Sequence, residues 1–456
     1  MAFFGVRRLG AAFLAVCLAL FLSAAHAADA KPSEYRGWKT LLLDNGLVQL
    51  HAAPDIGGRV IQFKLGGFEY LWVNEQLGGK TSPPSGVGPK GEWLNYGGDK
   101  LWPAPQGWER EDQWPGPPDP VLDGSPHTGT LETAAGDAAA IKLVSQPDKR
   151  SGVQFSRVVK LCGGTHVSFD STMKNIDSKP RRWGIWQVTQ HNAAARQGAG
   201  FEPELWTYCP ANPKSLYPRG YQETFGLVNN PSFSVDARHN LVRTHYLRRV
   251  GKIGLDCAAG WLAVVNGTAG YVFVERFAYH PDKKYPDQAS VEFWMNGAGE
   301  FVLPEKEVVT AKDDPVETPS LIESEVLSPF AELQPGESYT FHLDWYAARI
   351  GGNFPVLDCT DVGVSCAEFQ AKAAGNQVSF SGRFGVFYPG TLGVVFLDAN
   401  DKTVGKAALK MSATPLEPLV LTNAEADLPG GAVKLSLVLA APDGKELGFL
   451  ATARVK

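Results

Sequence analysis

Residues 41–51 read LLLDNGLVQLH, and this stretch decides the fold class. Two short apolar runs, Leu41–Leu43 and Val48–His51, flank Asp44-Asn45-Gly46. An Asn-Gly pair supplies the positive backbone φ that a tight hairpin turn requires. The same grammar recurs outward along the chain. Val60–Leu65, Val153–Leu161, His166–Met173, Trp183–Thr189, Leu262–Val265, Tyr271–Phe277, Val291–Met295 and Tyr339–Tyr346 alternate or run apolar for a strand's length, with turn residues between them. Helical periodicity is convincing nowhere. The chain is therefore all-β, and so many strands in one body predict a large antiparallel sandwich over residues 28–350. Ile350-Gly351-Gly352-Asn353-Phe354-Pro355 reads as a linker. Beyond it tryptophan disappears, and Val378–Phe380, Leu392–Leu397 and the alternating Val433, Leu435, Leu437, Leu439 predict a smaller β-sandwich over residues 351–456, with Pro442-Asp443-Gly444 closing a hairpin.

Residues 1–27 read as an export signal. Arg7-Arg8 is followed by the apolar run Ala11–Leu22 and by Ala25-His26-Ala27, a small-x-small cleavage pattern. A bacterial periplasmic or secreted protein is expected, cleaved near Ala27 and not held in a membrane afterwards. The 456 residues carry 43 basic and 48 acidic side chains for a net charge of −5, with no basic block, so nucleic acid and anionic membranes are poor partners. After the leader, five cysteines remain. Cys359 and Cys366 are close enough in sequence to bridge a loop, Cys209–Cys257 is a weaker pairing, and Cys162 is left over. No zinc-type spacing occurs, and neither a metal nor a cofactor is expected.

Residues 92–120 read EWLNYGGDKLWPAPQGWEREDQWPGPPDP. Four tryptophans, Trp93, Trp102, Trp108 and Trp114, stand among six prolines and several charges. Proline disfavours both a helix and a central strand here, so a long ordered loop is expected, and such loops are commonly functional. Indoles beside amides and charges suit a sugar, the rings stacking on its C–H faces and the polar groups reading its hydroxyls. The alternative is a loop that only covers a sheet edge.

Three further places offer chemistry. Gly57-Gly58-Arg59 leads into a strand, and Arg59 can read hydroxyls or a carboxylate, or simply follow a tight turn. Gln190-His191 ends the Trp183–Thr189 run, where a histidine can donate a proton or be structural. Glu323 and Glu325 fall two apart and so share one face of a strand. If that face lines a cavity one of them can act as a base, and if it faces solvent both merely solubilise.

Together these residues resemble a known arrangement. Ile322-Glu323-Ser324-Glu325, Leu333-x-Pro335-Gly336-Glu337 and Trp345 resemble the last strands of the galactose-mutarotase superfamily. Thr189-Gln190-His191 is similar to the strand end that carries its acid histidine, and Asn95-Tyr96-Gly97-Gly98 to its Leu-His-Gly-Gly. The run Gly97-Gly98-x-Lys100-x-Trp102-Pro103-Ala104-Pro105-Gln106 looks closer still to an uncharacterised bacterial family numbered 4380 among domains of unknown function. The resemblance covers residues 35–348 and implies a β-supersandwich with a sugar cleft on one sheet. It implies Glu323 as base and His191 as acid; in such a cleft Arg59, Tyr96, Lys100, Trp102, Gln106, Gln190 and Glu325 are expected to grip the sugar. Tyr96 departs from the family's histidine and cannot be cationic, although Asp99 and Lys100 stand beside it. Three functions stay open: an aldose 1-epimerase, a non-catalytic glycan-binding module, and a polysaccharide lyase or glycoside hydrolase.

Overall fold

The computed structural model describes residues 27–456 except 83–85, 137, 197, 228 and 303–307, so the expected export signal lies, but for Ala27, outside the described residues. Among the described residues the only helical pieces are three 3-10 turns. The remaining regular structure is antiparallel sheet, joined by turns and loops.

Two large sheets face each other. One has twelve strands. Its central order is Arg59–Leu65, Asp99–Ala104, Arg181–Asn192, Leu321–Leu327, Val291–Met295, Gly251–Leu255 and Gln222–Gly226. The other has ten, with Trp261–Asn266, Tyr271–Phe277, Ser338–Arg349, His166–Asn175 and Val153–Gly163 in its middle. Period-two alternation sends Phe273, Trp345 and Val264 into the core between the sheets and Val272, Val274 and Tyr346 to the outer side of the second sheet. The hairpin at residues 38–53 forms as expected. Its turn places Gly46 at φ 81°, while the Asn45 side chain accepts from the Leu47 and Val48 amides.

The tryptophan-rich stretch corrects one expectation. Asp99–Ala104 is a central strand of the first sheet, despite Pro103, pairing with Gly184–Thr189 on one side. On its other side only Asp99 pairs, with Val60. Beyond that pair the edge is open, and a missing N–H costs no ladder bond there. Gly97 and Gly98 lead into this strand at φ 93° and 74°. A Cβ on Gly97 would lie 2.2 Å from the Trp72 carbonyl oxygen, and one on Gly98 would lie 2.4 Å from that of Val60. Only glycine lets the chain enter the sheet at this point.

Residues 358–454 form a five-stranded and a four-stranded sheet around their own core, including Val378, Phe380, Leu392 and Leu437. This sandwich packs against the outer face of the ten-stranded sheet, where Tyr346 stacks on Phe387 at 4.5 Å. The segment read as a linker is part of that contact. Ile350 is fully buried, and the Ile350 and Gly351 amides both donate to the Gly270 carbonyl. All five cysteines described are free thiols, so neither expected bridge is formed. In the hairpin register Cys359 faces Val364, which places Cys366 beyond the paired positions. Cys209 and Cys257 are both buried, with Sγ atoms directed at the Pro210 and Trp261 carbonyls.

Candidate functional site

Strand register decides which side chains meet. In the twelve-stranded sheet Lys100 lies opposite Val188, Trp102 opposite Trp186, Gln190 opposite Glu323, Val188 opposite Glu325, and Trp294 opposite Glu323 from the other side. Glu292 lies opposite Glu325, and Lys252 opposite Trp294. Paired residues share a face, so all of these point outward, away from the second sheet. Thr189, His191 and Ser324 alternate with them and point inward.

Glu323 is the centre of the outward row. Its Oε1 accepts from Gln190 Nε2 at 2.6 Å and lies 3.4 Å from the Lys100 ammonium. The Glu323 side chain keeps 11% of its exposure and Lys100 1%, so the carboxylate is the more exposed of the two. Burial lowers the Lys100 pKa from its ordinary value, with Glu323 pulling the other way. The ammonium lies 4.9 Å from the Trp102 ring centroid. Trp102 touches Trp186 and Trp114. Trp102 and Trp93 also share one acceptor, donating to Asp123 at 3.2 and 2.7 Å.

A charged cluster continues the row. Lys252 Nζ lies 2.7 Å from Glu292 and 2.9 Å from Glu325, and 4.6 Å from the centroid of Trp186. The Trp186 indole donates to Glu325 at 2.7 Å. Burial raises Glu325 well above the carboxylate range, against the pull of Lys252. For Lys252, burial is outweighed by Glu292 and Glu325, which raise its pKa. Beyond it Phe225 packs on Trp294 at 4.9 Å and on Phe301 at 4.6 Å, all three half-buried. Glu323 therefore has half-buried Trp294 directly opposite it, while Lys100 links it to the buried Trp102–Trp186 pair.

His191 is not in this group. It points into the core, 4.9 Å from the Phe273 ring, and its Nε2 lies 2.7 Å from Ser324 Oγ. Ser324 in turn donates to Glu275 of the second sheet, which also accepts from Trp345. Burial pushes His191 down to about 3 and Glu275 up to about 8. The expected acid–base pair is thus split across the sheet, because His191 and Glu323 sit at positions of opposite parity. The residue that faces Glu323 is Gln190, an amide with no proton to transfer.

The buried carboxyl makes stability depend on pH. Folded Glu275 holds its proton up to about 8, whereas the unfolded chain releases it near the ordinary 4.5. Its contribution is therefore complete below pH 4.5 and is lost as pH rises toward 8. Glu275→Gln is expected to gain on the wild type by up to about 5 kcal/mol across that window. Urea unfolding of both proteins at pH 5 and pH 8 reads this difference, and an unchanged gap would exclude a neutral Glu275.

The other expected residues divide. Lys100, Trp102, Gln190, Glu323 and Glu325 assemble on the outer face. Arg59 lies apart from them. It is fully buried, with its guanidinium bound to Asp123 and to the Ile56 and Gly97 carbonyls. Tyr96 is sealed in a separate cluster with Trp38, Ile61 and Val73, its hydroxyl without a partner among the described residues. Gln106 is exposed and reaches the Pro115 carbonyl at 3.4 Å. Asp99 points inward to Thr189 and Arg157. Lys252, Glu292, Trp294, Phe225 and Asp123 escaped the sequence reading, although the Val291–Met295 run already placed Glu292 and Trp294 on one face. Among the described residues no group of three or more His, Cys, Asp or Glu side chains is arranged to hold a metal ion.

The profile of a family described as "Domain of unknown function (DUF4380)" matches residues 39–348. No curated protein matches the chain. Among solved structures, a TPR-domain containing protein from Parabacteroides distasonis is similar at 12% identity and TM-score 0.46, over 73% of this chain and 54% of that one. This chain thus spans about half the length of that protein. A galactose mutarotase-like protein from Clostridium acetobutylicum is similar at 11% identity and TM-score 0.43, over 71% of this chain and 99% of that one. Another, from Lactobacillus casei, is similar at 13% identity and TM-score 0.42, over 68% and 99%.

Proposed function

The chain belongs to the DUF4380 family, and from that premise and the chemistry of its outer sheet face we propose that it is a carbohydrate-binding protein whose site is centred on Glu323. One observation carries the reading: the Glu323 carboxylate, held by Gln190 and Lys100, keeps part of its exposure directly opposite the half-buried indole of Trp294. Rings of this kind cover the C–H face of a pyranose, and a fixed carboxylate with a neighbouring ammonium accepts from and donates to its hydroxyls. The reading includes export, on the basic and apolar start of the chain. It is tested by titrating tryptophan fluorescence with neutral hexoses. Trp294→Ala is expected to weaken binding about tenfold, the scale of losing one good aromatic contact. Equal affinity in that variant would remove Trp294 from the site.

A second reading, aldose 1-epimerase activity, is favoured by the Lys100–Glu323 contact. Glu323 would take the proton of the anomeric hydroxyl, and Lys100 would give one to the ring oxygen as the C1–O5 bond breaks. Rotation of the aldehyde and the reverse transfers then close the other anomer. Burial lowers the Lys100 pKa and so makes it a readier acid. Polarimetric mutarotation that persists undiminished in Lys100→Met would rule this chemistry out.

A further inference from the structure

A second hollow lies at the opposite end of the Arg181–Asn192 strand. Trp183 lines it, and Gln190, which holds Glu323, is seven residues further on, about 23 Å at 3.3 Å per residue. The volume is about 570 Å³, within the range of small-ligand sites. Trp114 and Trp183 form its floor, and both are almost fully buried. Their indole N–H groups are already engaged by Asp119 and by the Ser151 carbonyl. Trp108 stands at the rim with 60% of its surface exposed.

The walls carry four cations, Arg110, Arg150, Lys179 and Arg181, against two carboxylates, Glu109 and Glu111. The chain as a whole is net negative. Arg110 and Arg181 are paired with Asp112 and Asp177, which lie outside the lining, and Lys179 pairs with Glu111. Arg150 is exposed, and its guanidinium has no ion-pair partner among the described residues. The Arg110 and Lys179 pairs are solvent-exposed, and such contacts are weak enough to be exchanged for those of a ligand. The turn at residues 109–113 is fixed by Gln113, whose side-chain oxygen accepts from the Glu109 and Arg110 amides.

We propose that this hollow is a second carbohydrate site, distinct from the Glu323 face, that takes a pyranose bearing a carboxylate: the ring stacks on Trp108 and the carboxylate pairs with Arg150. A planar guanidinium matches a carboxylate in two parallel hydrogen bonds.

The test is calorimetric titration of the full chain with tetragalacturonate and with its fully methyl-esterified, uncharged counterpart. The charged tetramer is expected to bind with an affinity that falls as salt rises, and the ester to bind at least about tenfold more weakly, the scale of one lost charge-assisted contact. Trp108→Ala and Arg150→Gln, both at exposed positions and checked for an unchanged unfolding midpoint, are expected to lower affinity by a similar factor. Glu323→Gln is expected to leave it unaltered. Equal binding of acid and ester, loss confined to Glu323→Gln, or no binding of the charged tetramer would overturn the proposal. Failure of the hexose titration alone would count against the Glu323 reading and not against this one.

Discussion

Arg157→Ala is expected to destabilise the protein by about 3–5 kcal/mol, the cost of stripping one partner from a buried ion pair. Arg157 on the second sheet and Asp99 on the first meet between the sheets, with 3% and 0% side-chain exposure. The guanidinium also lies 4.4 Å from the Phe169 ring centroid. Burial raises the Asp99 pKa, and Arg157 is the largest influence holding it down. Without Arg157 the carboxyl keeps its proton to higher pH than in the unfolded chain. The variant's deficit is therefore smallest in acid and grows as pH rises. Joint replacement, Asp99→Leu with Arg157→Met, is expected to recover most of the loss, because no uncompensated charge then remains. Urea unfolding at several pH values measures all of this. A single-variant loss below about 1 kcal/mol, as for an exposed pair, would contradict the burial.

The second large effect is expected for Lys252→Leu. The ammonium lies between Glu292 and Glu325 and keeps 15% of its exposure, against 3% and 1% for the two carboxylates. Removing it leaves two acids with no cation between them, again a loss of about 3–5 kcal/mol. The sign with pH follows from Glu325, whose folded pKa is already raised by burial and rises further without the lysine. A raised acid contributes stability at low pH and loses it as pH climbs. The variant should therefore approach the wild type in acid and fall further behind as pH rises. A deficit that shrank with rising pH would reverse the assignment of charges in this cluster.

Much of this architecture is legible in the chain because it is local. The Asn45-Gly46 turn, the alternating runs and the apolar stripe at Leu435, Leu437 and Leu439 each carry their structure in neighbouring residues. The shared face of Glu323 and Glu325 follows from strand periodicity in the same way. What escaped depends on pairing between distant strands. His191 and Gln190 differ by one position, and parity alone sends one into the core and the other to Glu323. Nothing within residues 181–192 announces which is which. That follows from the ladder with Leu321–Leu327. Pro103 argues against a central strand until the nearly unpaired edge beside it is known. Arg59 resembles a ligand-reading arginine until Asp123, 64 residues later, arrives to bind it. Lys252 has no local signature at all, and its role comes from two glutamates on neighbouring strands.

Glu323, and not His191, is the residue proposed to meet a sugar. Calorimetric titration of wild type, Glu323→Gln and His191→Gln with a neutral hexose tests this most directly. The expected result is saturable binding in the wild type, an affinity lowered by about tenfold or more in Glu323→Gln, and near wild-type affinity in folded His191→Gln. Binding that survives in Glu323→Gln and disappears in His191→Gln would contradict it.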